Sequence, residues 1–171
     1  ARIWRKAPWR PAETFPEALQ SLWTAHMLAM VAERYPGPGR SPGRIDQYLY
    51  PYYKRDLDAG RLTRDEAKEW LECLWIKHNY VYDYQGWTGT NQGINASFGQ
   101  LITLSGMGKD GRDLTNDLTY AILDVIDEMT PILEPKPNVR LHRRTPDALL
   151  DKLVEMIASS QGAPFLLNFD E

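Results

Sequence analysis

The side chains best suited to chemistry in this chain are few and lie far apart. Its 171 residues contain three histidines, His26, His78 and His142, and one cysteine, Cys73. None of them stands at the His-Glu-x-x-His or Cys-x-x-Cys spacing that brings metal ligands together. The sequence therefore predicts no metal site, and a single cysteine allows no internal disulfide.

Cys73 follows Glu69 and Trp70 by one turn of a predicted helix whose surroundings are apolar. A free cysteine in such a setting is typically buried and behaves as a small, inert hydrophobic residue. We therefore interpret Cys73 as structural and assign it no catalytic role.

The glycine-rich segment at residues 106–111 superficially suggests a phosphate loop. Its sequence, Gly-Met-Gly-Lys-Asp-Gly, lacks the Gly-x4-Gly-Lys-Ser/Thr spacing that turns backbone amides toward a phosphate. A tight surface turn at Asp110 and Gly111 is the better interpretation.

The composition excludes several classes of protein. The net charge of −3 is nearly balanced, and the basic cluster around His142 is interpreted as solvated surface, so we expect no nucleic-acid partner. No apolar run approaches the roughly 18 residues of a membrane helix, so we expect no membrane contact.

The single cysteine fits a reducing cytoplasm. The first residues do not resemble a signal peptide, and they predict a cut inside a longer chain.

Hydrophobic spacing predicts that the first half of the chain is helical. Two helices begin with a capping-box pattern, in which a threonine is followed three residues later by a glutamate. These pairs are Thr14 with Glu17 and Thr63 with Glu66. A shorter helix is predicted over 45–58, ending near Gly60. The apolar residues within 79–97 follow no clear helical or strand period. This segment is therefore predicted to be a long loop, of the kind that is often functional.

The second half alternates short apolar strands with amphipathic helices. Strands are predicted at 98–104, 138–141 and 164–169. The helices between them carry apolar residues at helical spacing over 114–129 and 149–157. The second of these helices is predicted to have Thr145 as its N-cap and Pro146 at its first position. This alternation indicates an α/β fold in which helices shield a sheet.

Five segments, taken in order, resemble glycyl radical enzymes of the pyruvate formate-lyase type. They are residues 10–23, 41–53, 72–77, 110–120 and 138–142, and they span nearly the whole chain. The most specific is Ser-Pro-Gly-Arg-Ile-Asp-Gln-Tyr at 41–48, which is similar to the family's Ser-Pro-Gly-Arg-Phe-Asp-Gln-Tyr. The segment at 110–120 resembles the family's Asp-Gly-x-Asp-Ala-Thr-Asn-x-Leu-Ser/Thr-Tyr.

The resemblance implies a fold and a reaction type. It implies that residues 1–171 are a helix-rich part of one pyruvate formate-lyase-like domain, a ten-stranded α/β barrel. In family members a glycyl radical takes a hydrogen atom from a cysteine thiol, and the resulting thiyl radical abstracts a hydrogen atom from a small-molecule substrate. The Gly-Cys-x-Glu loop is expected shortly after Glu171, and neither that loop nor the glycyl loop lies in this chain. The chain alone is therefore expected to be inactive.

The resemblance also implies partners for the longer protein. Its glycyl radical would be installed by a radical-SAM activating enzyme that uses S-adenosylmethionine and an iron–sulfur cluster. Residues 1–171 are expected to bind no cofactor themselves. The longer parent protein is expected to be a homodimer.

Departures from the family pattern suggest a branch. Pro38 and Gly39 replace the His-Ser pair that glycerol and diol dehydratases place before their Ser-Pro-Gly-Arg stretch, so a polyol pocket of that design is not expected. Tyrosines and a tryptophan within 80–87 precede Phe98, and an aromatic-lined pocket suits an aryl substrate. We therefore predict an arylacetate decarboxylase. A glycerol or diol dehydratase, a formate C-acetyltransferase and a non-catalytic scaffold domain are the alternatives.

Phe98, Arg40, Ser41 and Gln100 are the candidate substrate-binding residues. Arg40 and Ser41 belong to a segment whose counterpart in the family touches substrate, and a guanidinium is a two-pronged donor for a carboxylate. Phe98 and Gln100 share one face of the predicted strand, because side chains alternate along a strand. That face would be both apolar and polar, as a pocket requires.

Replacement of Phe98 tests this pocket in the full-length protein. If Phe98 faces substrate, Phe98→Ala should shift the discrimination between aryl and aliphatic substrates by at least about tenfold. Its cost in stability should be smaller than the about 3 to 5 kcal/mol of a buried aromatic truncation. Both quantities are measured on the same variant. Severe destabilisation with unchanged relative activity would show that Phe98 is core packing.

Overall fold

The protein has an α/β fold in which helices cover a parallel sheet. A computed structural model describes residues 3–32, 41–87, 100–130, 134–159 and 166–170. The helices are α1 (Phe15–Ala32), α2 (Ile45–Tyr48), α3 (Tyr50–Asp58), α4 (Arg64–Trp87), α5 (Asp117–Glu128) and α6 (Asp147–Ser159). The strands are β1 (Gly43–Arg44), β2 (Leu101–Ser105), β3 (Lys136–Leu141) and β4 (Leu166–Phe169). The predicted fold class is confirmed.

The four strands lie in the order β1-β2-β3-β4, and each pair of neighbours is parallel. Parallel neighbours need a crossover between them, and helices α2 to α4, α5 and α6 supply the three crossovers. Each strand therefore adds to the same edge of the growing sheet. This is the way in which the wall of an α/β barrel is built.

The core lies between the sheet and its helices. Alternation along β2 and β3 places Ile102, Leu104 and Val139 in this core, each at most 1% exposed. The helices contribute Trp75, Leu149 and other apolar residues to the same cluster. Thr103, Asn138 and Arg140 point to the opposite face of the sheet and are half-buried. The described helices leave that opposite face open.

Helix termini follow the predicted capping chemistry in most places. The Thr63 hydroxyl accepts from the Glu66 amide at 3.2 Å, and Glu66 accepts in return from the Thr63 amide at 2.8 Å. The Asn116 side chain caps α5 in the same reciprocal way with Thr119. Gly60 ends the α3 region with φ of 63°, a conformation that favours glycine.

Three local predictions were wrong. Residues 79–87 continue α4 rather than forming a loop, and the rest of that predicted loop lies outside the described residues. Helix α6 begins at Asp147, because the Thr145 hydroxyl accepts from the His142 amide at 2.8 Å instead of capping the helix. Ile157, predicted to be buried, is 44% exposed.

Cys73 is exposed on α4 rather than buried, so the prediction of a hidden thiol was wrong. Apolar spacing failed here because Trp70 and Ile76, which flank Cys73, are also solvent-exposed, at 40% and 54%. The apolar residues of α4 therefore cover two faces, and Ala67, Leu71, Leu74 and Trp75 turn toward the core.

No helix within the described ranges has the length and apolar character needed to cross a membrane.

Several large apolar side chains are exposed on the outer surface of the fold. Leu150, Val154 and Ile157 form a stripe on α6, and Phe169 on β4 is 73% exposed. The strands β1 and β4 lie at the edges of the described sheet. Such a surface is typical of a segment that packs against further protein.

Residues 1–171 expressed alone should therefore unfold gradually, because an open sheet with uncovered apolar stripes has few cooperative contacts. A thermal melt followed by circular dichroism, with sedimentation to establish the oligomeric state, measures this. A sharp cooperative transition from a soluble monomer would contradict the expectation.

Candidate active site at the carboxyl edge of the sheet

A cleft of about 350 Å³ opens where the four strands end. It is lined by Arg44, Thr103, Met107, Arg140 and Asp170. Arg44 ends β1, Arg140 lies near the end of β3, and Met107 and Asp170 follow β2 and β4. Ligand sites in parallel α/β sheets lie at the carboxyl ends of the strands, so this cleft is the candidate active site.

A buried carboxylate fixes the end of β2 beside the cleft. Asp46 Oδ2 accepts from the Ser105 amide and from the Thr119 hydroxyl, both at 2.7 Å. Arg44 Nη2 donates to the Ser105 carbonyl at 2.6 Å, so both backbone groups of Ser105 are held by β1 and α2. Burial raises the pKa of Asp46, although these hydrogen bonds and Arg44 favour its charged form.

The residues at this anchored end of β2 have an unusual backbone conformation. Ser105 has φ of 59°, a left-handed conformation that a residue with a Cβ rarely adopts. The next residue, Gly106, has φ of 96°. Such conformations persist where surrounding contacts determine them fully, and they cluster at functional sites.

Asp170 closes the other side of the cleft. Its Oδ1 accepts from Nε and Nη2 of Arg140, and its Oδ2 accepts from the Met107 amide at 2.9 Å. The Asp170 amide donates to the Leu141 carbonyl at 2.7 Å. The residue that follows β4 thus contacts the ends of both β2 and β3.

The charged side chains that line the cleft are two guanidinium groups and one carboxylate, which leaves one net positive charge. Arg44 has N–H groups beyond the one used by Ser105, and its Nε is buried with no hydrogen-bond partner among the described residues. This arrangement can bind a small anion and orient it by hydrogen bonds.

A second polar cluster lies under the amino end of β2. The His78 and His26 rings have centroids 4.9 Å apart, and His78 Nδ1 donates to Gln100 Oε1. Glu134 Oε2 accepts from the Gln100 amide at 2.7 Å. Burial, followed by the neighbouring His26, lowers the pKa of His78 to about 4, and burial raises the pKa of Glu134.

Of the predicted substrate-binding residues, the structure describes Ser41 and Gln100, and neither lines the cleft. Gln100 shares a face with Ile102 and Leu104, as predicted, but that face is the one covered by helices. The Ser41 hydroxyl accepts from the Leu101 amide at 3.2 Å, also at the amino end of β2. Both lie at the amino end of β2, and neither is among the residues that line the cleft.

Arg40 and Phe98 lie outside the described residues. The roles proposed for Phe98, Arg40, Ser41 and Gln100 in substrate binding stay predictions.

Sequence reasoning did not select the residues that line the cleft. Arg140 lies in the resembling segment 138–142, and no local pattern singles out Asp170. Their strand-end positions were the available signal, because the carboxyl ends of parallel strands meet at one edge. His26 and His78 were interpreted as distant, since helix packing rather than spacing brings them together. In the part of the chain that the structure describes, no group of three or more His, Cys, Asp or Glu residues is placed to hold a metal ion.

The comparisons with known proteins agree with the fold. A family model described as "Pyruvate formate lyase-like" matches residues 1–171. The crystal structure of a glycyl radical enzyme from Archaeoglobus fulgidus superposes with a TM-score of 0.80 at 35% identity, over 99% of this chain and 21% of that chain.

Curated relatives extend the match. An isethionate sulfite-lyase of Nitratidesulfovibrio vulgaris is 38% identical over 100% of this chain and 20% of its own length. A trans-4-hydroxy-L-proline dehydratase of Clostridioides difficile is 36% identical over 94% and 20%. An indoleacetate decarboxylase of Tractidigestivibacter scatoligenes is 32% identical over 96% and 18%.

This chain belongs to the pyruvate formate lyase-like family of glycyl radical enzymes. The chain spans about a fifth of the length of the curated relatives that it matches. The resemblance found in the five sequence segments is therefore confirmed, and so is the barrel-wall architecture that it implied.

The buried His78 should make stability depend on pH. Its pKa is lowered from 6.5 to about 4, so the unfolded state binds the proton first as pH falls. Stability should be intact above about pH 6.5 and fall by about 3 kcal/mol by pH 4. The raised pKa of Glu134 opposes this, because the folded state takes up that proton first. The measurement is the unfolding midpoint of the full-length protein and of His78→Gln across this range. Parallel pH profiles for the two proteins would contradict the assignment.

Proposed function

We propose that this chain is an internal segment of an oxygen-sensitive glycyl radical enzyme that cleaves a C–C or C–X bond in a small organic acid. The observation that carries the proposal is the net positive cleft at the carboxyl edge of the sheet, in a chain that belongs to this family. A carboxylate or sulfonate of one negative charge would balance the cleft.

The residues of this chain would bind and orient the substrate rather than carry out the radical step. Arg44 is the proposed anion-binding residue, because it lines the cleft and a guanidinium has further N–H donors beyond the one that binds the Ser105 carbonyl. Arg140 is already paired with Asp170 and would mainly shape the site. The cysteine and glycine of the reaction would come from segments beyond these residues, and the glycyl radical from a radical-SAM activating enzyme with its iron–sulfur cluster. The parent is proposed to be a cytoplasmic homodimer.

Two types of reaction on an organic acid are consistent with this site. Arylacetate decarboxylation is supported by the likeness to an indoleacetate decarboxylase and by the aromatic residues of the 80–98 segment. Elimination of a hydroxyl or sulfonate group is supported by the likeness to the dehydratase and the sulfite-lyase. The described cleft lining contains no aromatic residue, which favours elimination from a small polar acid. A neutral diol dehydratase or a non-catalytic scaffold would each lack the need for an anion-binding guanidinium at this place, whereas a formate C-acetyltransferase also acts on small carboxylates and stays an alternative.

The experiment uses the full-length protein, activated anaerobically and assayed with isethionate, trans-4-hydroxy-L-proline, indoleacetate and a neutral diol. Turnover of an acid and none of the diol is expected. Arg44→Gln should raise KM for the acid by about tenfold or more, because it removes a charge-assisted hydrogen bond. The control is Arg112→Gln, since Arg112 lies on the surface in an ion pair with Asp110.

Turnover of the neutral diol alone would overturn the proposal of an organic acid. An unchanged KM in Arg44→Gln would remove Arg44 from the site. Absence of a Gly-Cys-x-Glu loop downstream of Glu171 in the coding sequence would favour the scaffold alternative.

A further inference from the structure

Asp170 has more partners than a surface carboxylate normally has. Its side chain is 9% exposed, whereas that of its partner Arg140 is 40% exposed. One oxygen accepts both donors of Arg140, and the other accepts the Met107 amide. Its own amide extends the β3–β4 pairing by donating to Leu141. The residue therefore joins the ends of β2, β3 and β4.

The backbone beneath Asp170 has no room for a side chain. A Cβ at Gly106 would lie 2.7 Å from Asp170 Oδ2, 2.9 Å from the Arg140 Cβ and 3.0 Å from Arg44 Nη2. These three neighbours come from three different strands or strand ends. Gly106 therefore lets the carboxylate and both guanidinium groups approach one another at the cleft floor.

The contacts form a continuous series across the sheet. Arg44 on β1 holds the Ser105 carbonyl, and Asp170 holds the Met107 amide two residues later. Asp170 then holds the Arg140 guanidinium, the other cation of the cleft. We call the Gly106, Met107, Arg140 and Asp170 group the strand-end latch.

We propose that Asp170 is a positioning residue, and that the strand-end latch sets both the direction of the Arg140 guanidinium and the path of the chain where it leaves β4. The inference rests on the proposed function, because the latch matters for a reaction only if one takes place in this cleft. Without the Asp170 charge, Arg140 would turn toward a bound anion and hold it away from its productive position.

This role predicts an unusual split between kinetic constants. Asp170→Asn keeps an oxygen that accepts the Met107 amide but loses the ion pair with Arg140. With an anionic substrate, kcat should fall by about tenfold or more, while KM stays unchanged or falls. A merely structural defect would raise KM and lower the radical content of the activated enzyme. The glycyl radical signal, measured by electron paramagnetic resonance, should equal that of the wild type.

Gly106→Ala tests the latch by a route that keeps every charge. The new Cβ should displace Asp170 and lower kcat in the same way. The matched control is Gly60→Ala, because Gly60 has a similar positive φ of 63° but nothing within 4 Å of an added Cβ. It carries the conformational strain without the displacement, so its kcat should match the wild type. Hydrogen exchange at the Met107 amide should rise in Gly106→Ala and stay unchanged in the control.

The outcomes separate the two proposals. An activated wild-type protein that turns over no acid removes the proposed function, and with it the latch's role in the reaction. An active wild type whose Asp170→Asn and Gly106→Ala variants keep kcat overturns the latch alone. A rise in KM for Asp170→Asn, with reduced radical signal, also overturns it, since that pattern marks structural damage.

Discussion

The buried carboxylate of Asp46 is the contact on which the arrangement of the site depends. Asp46 is fully buried at the start of α2 and accepts hydrogen bonds from the backbone of β2 and from the first turn of α5. The Asn116 side chain donates from Nδ2 to the Asp46 carbonyl at 3.0 Å. Three elements far apart in sequence thereby meet at one residue. A neutral replacement would leave a buried amide and a hydroxyl with a weaker acceptor.

The cleft is a direct consequence of this anchoring. Because both backbone groups of Ser105 are bound, the chain can turn through a left-handed residue and a glycine immediately after β2. That turn brings the Met107 amide toward the end of β4, where Asp170 accepts it. Net positive charge then accumulates at the open face of the sheet rather than in the helix-covered core. The polar pair His26 and His78, by contrast, is buried within that core, and burial lowers the pKa of His78.

Local patterns predicted the elements well wherever one physical signal dominated. The Thr63 capping box predicted the start of α4, and apolar spacing predicted the existence of α1, α5 and α6, because each helix buries one face in the core. The patterns failed where packing decided the outcome. Cys73 lies beside apolar residues on an exposed face of α4, and Gln100 turns under the helices. Sequence motifs were enough to identify the family. The cleft could not be predicted in the same way, because it forms where four strand ends align, and spacing along the chain does not encode that alignment.

The sequential strand order also determines how this segment can fold while it is being synthesised. Every strand pairs with the one synthesised before it, so each crossover can dock on existing sheet as the chain emerges from the ribosome. Met107 and Asp170, however, are 63 residues apart, and Arg44 precedes both. The binding cleft is therefore complete only after β4 has been synthesised and has paired with β3. Until then Arg140 lacks its partner Asp170, and a nascent chain stalled before residue 166 would lack one wall of the cleft.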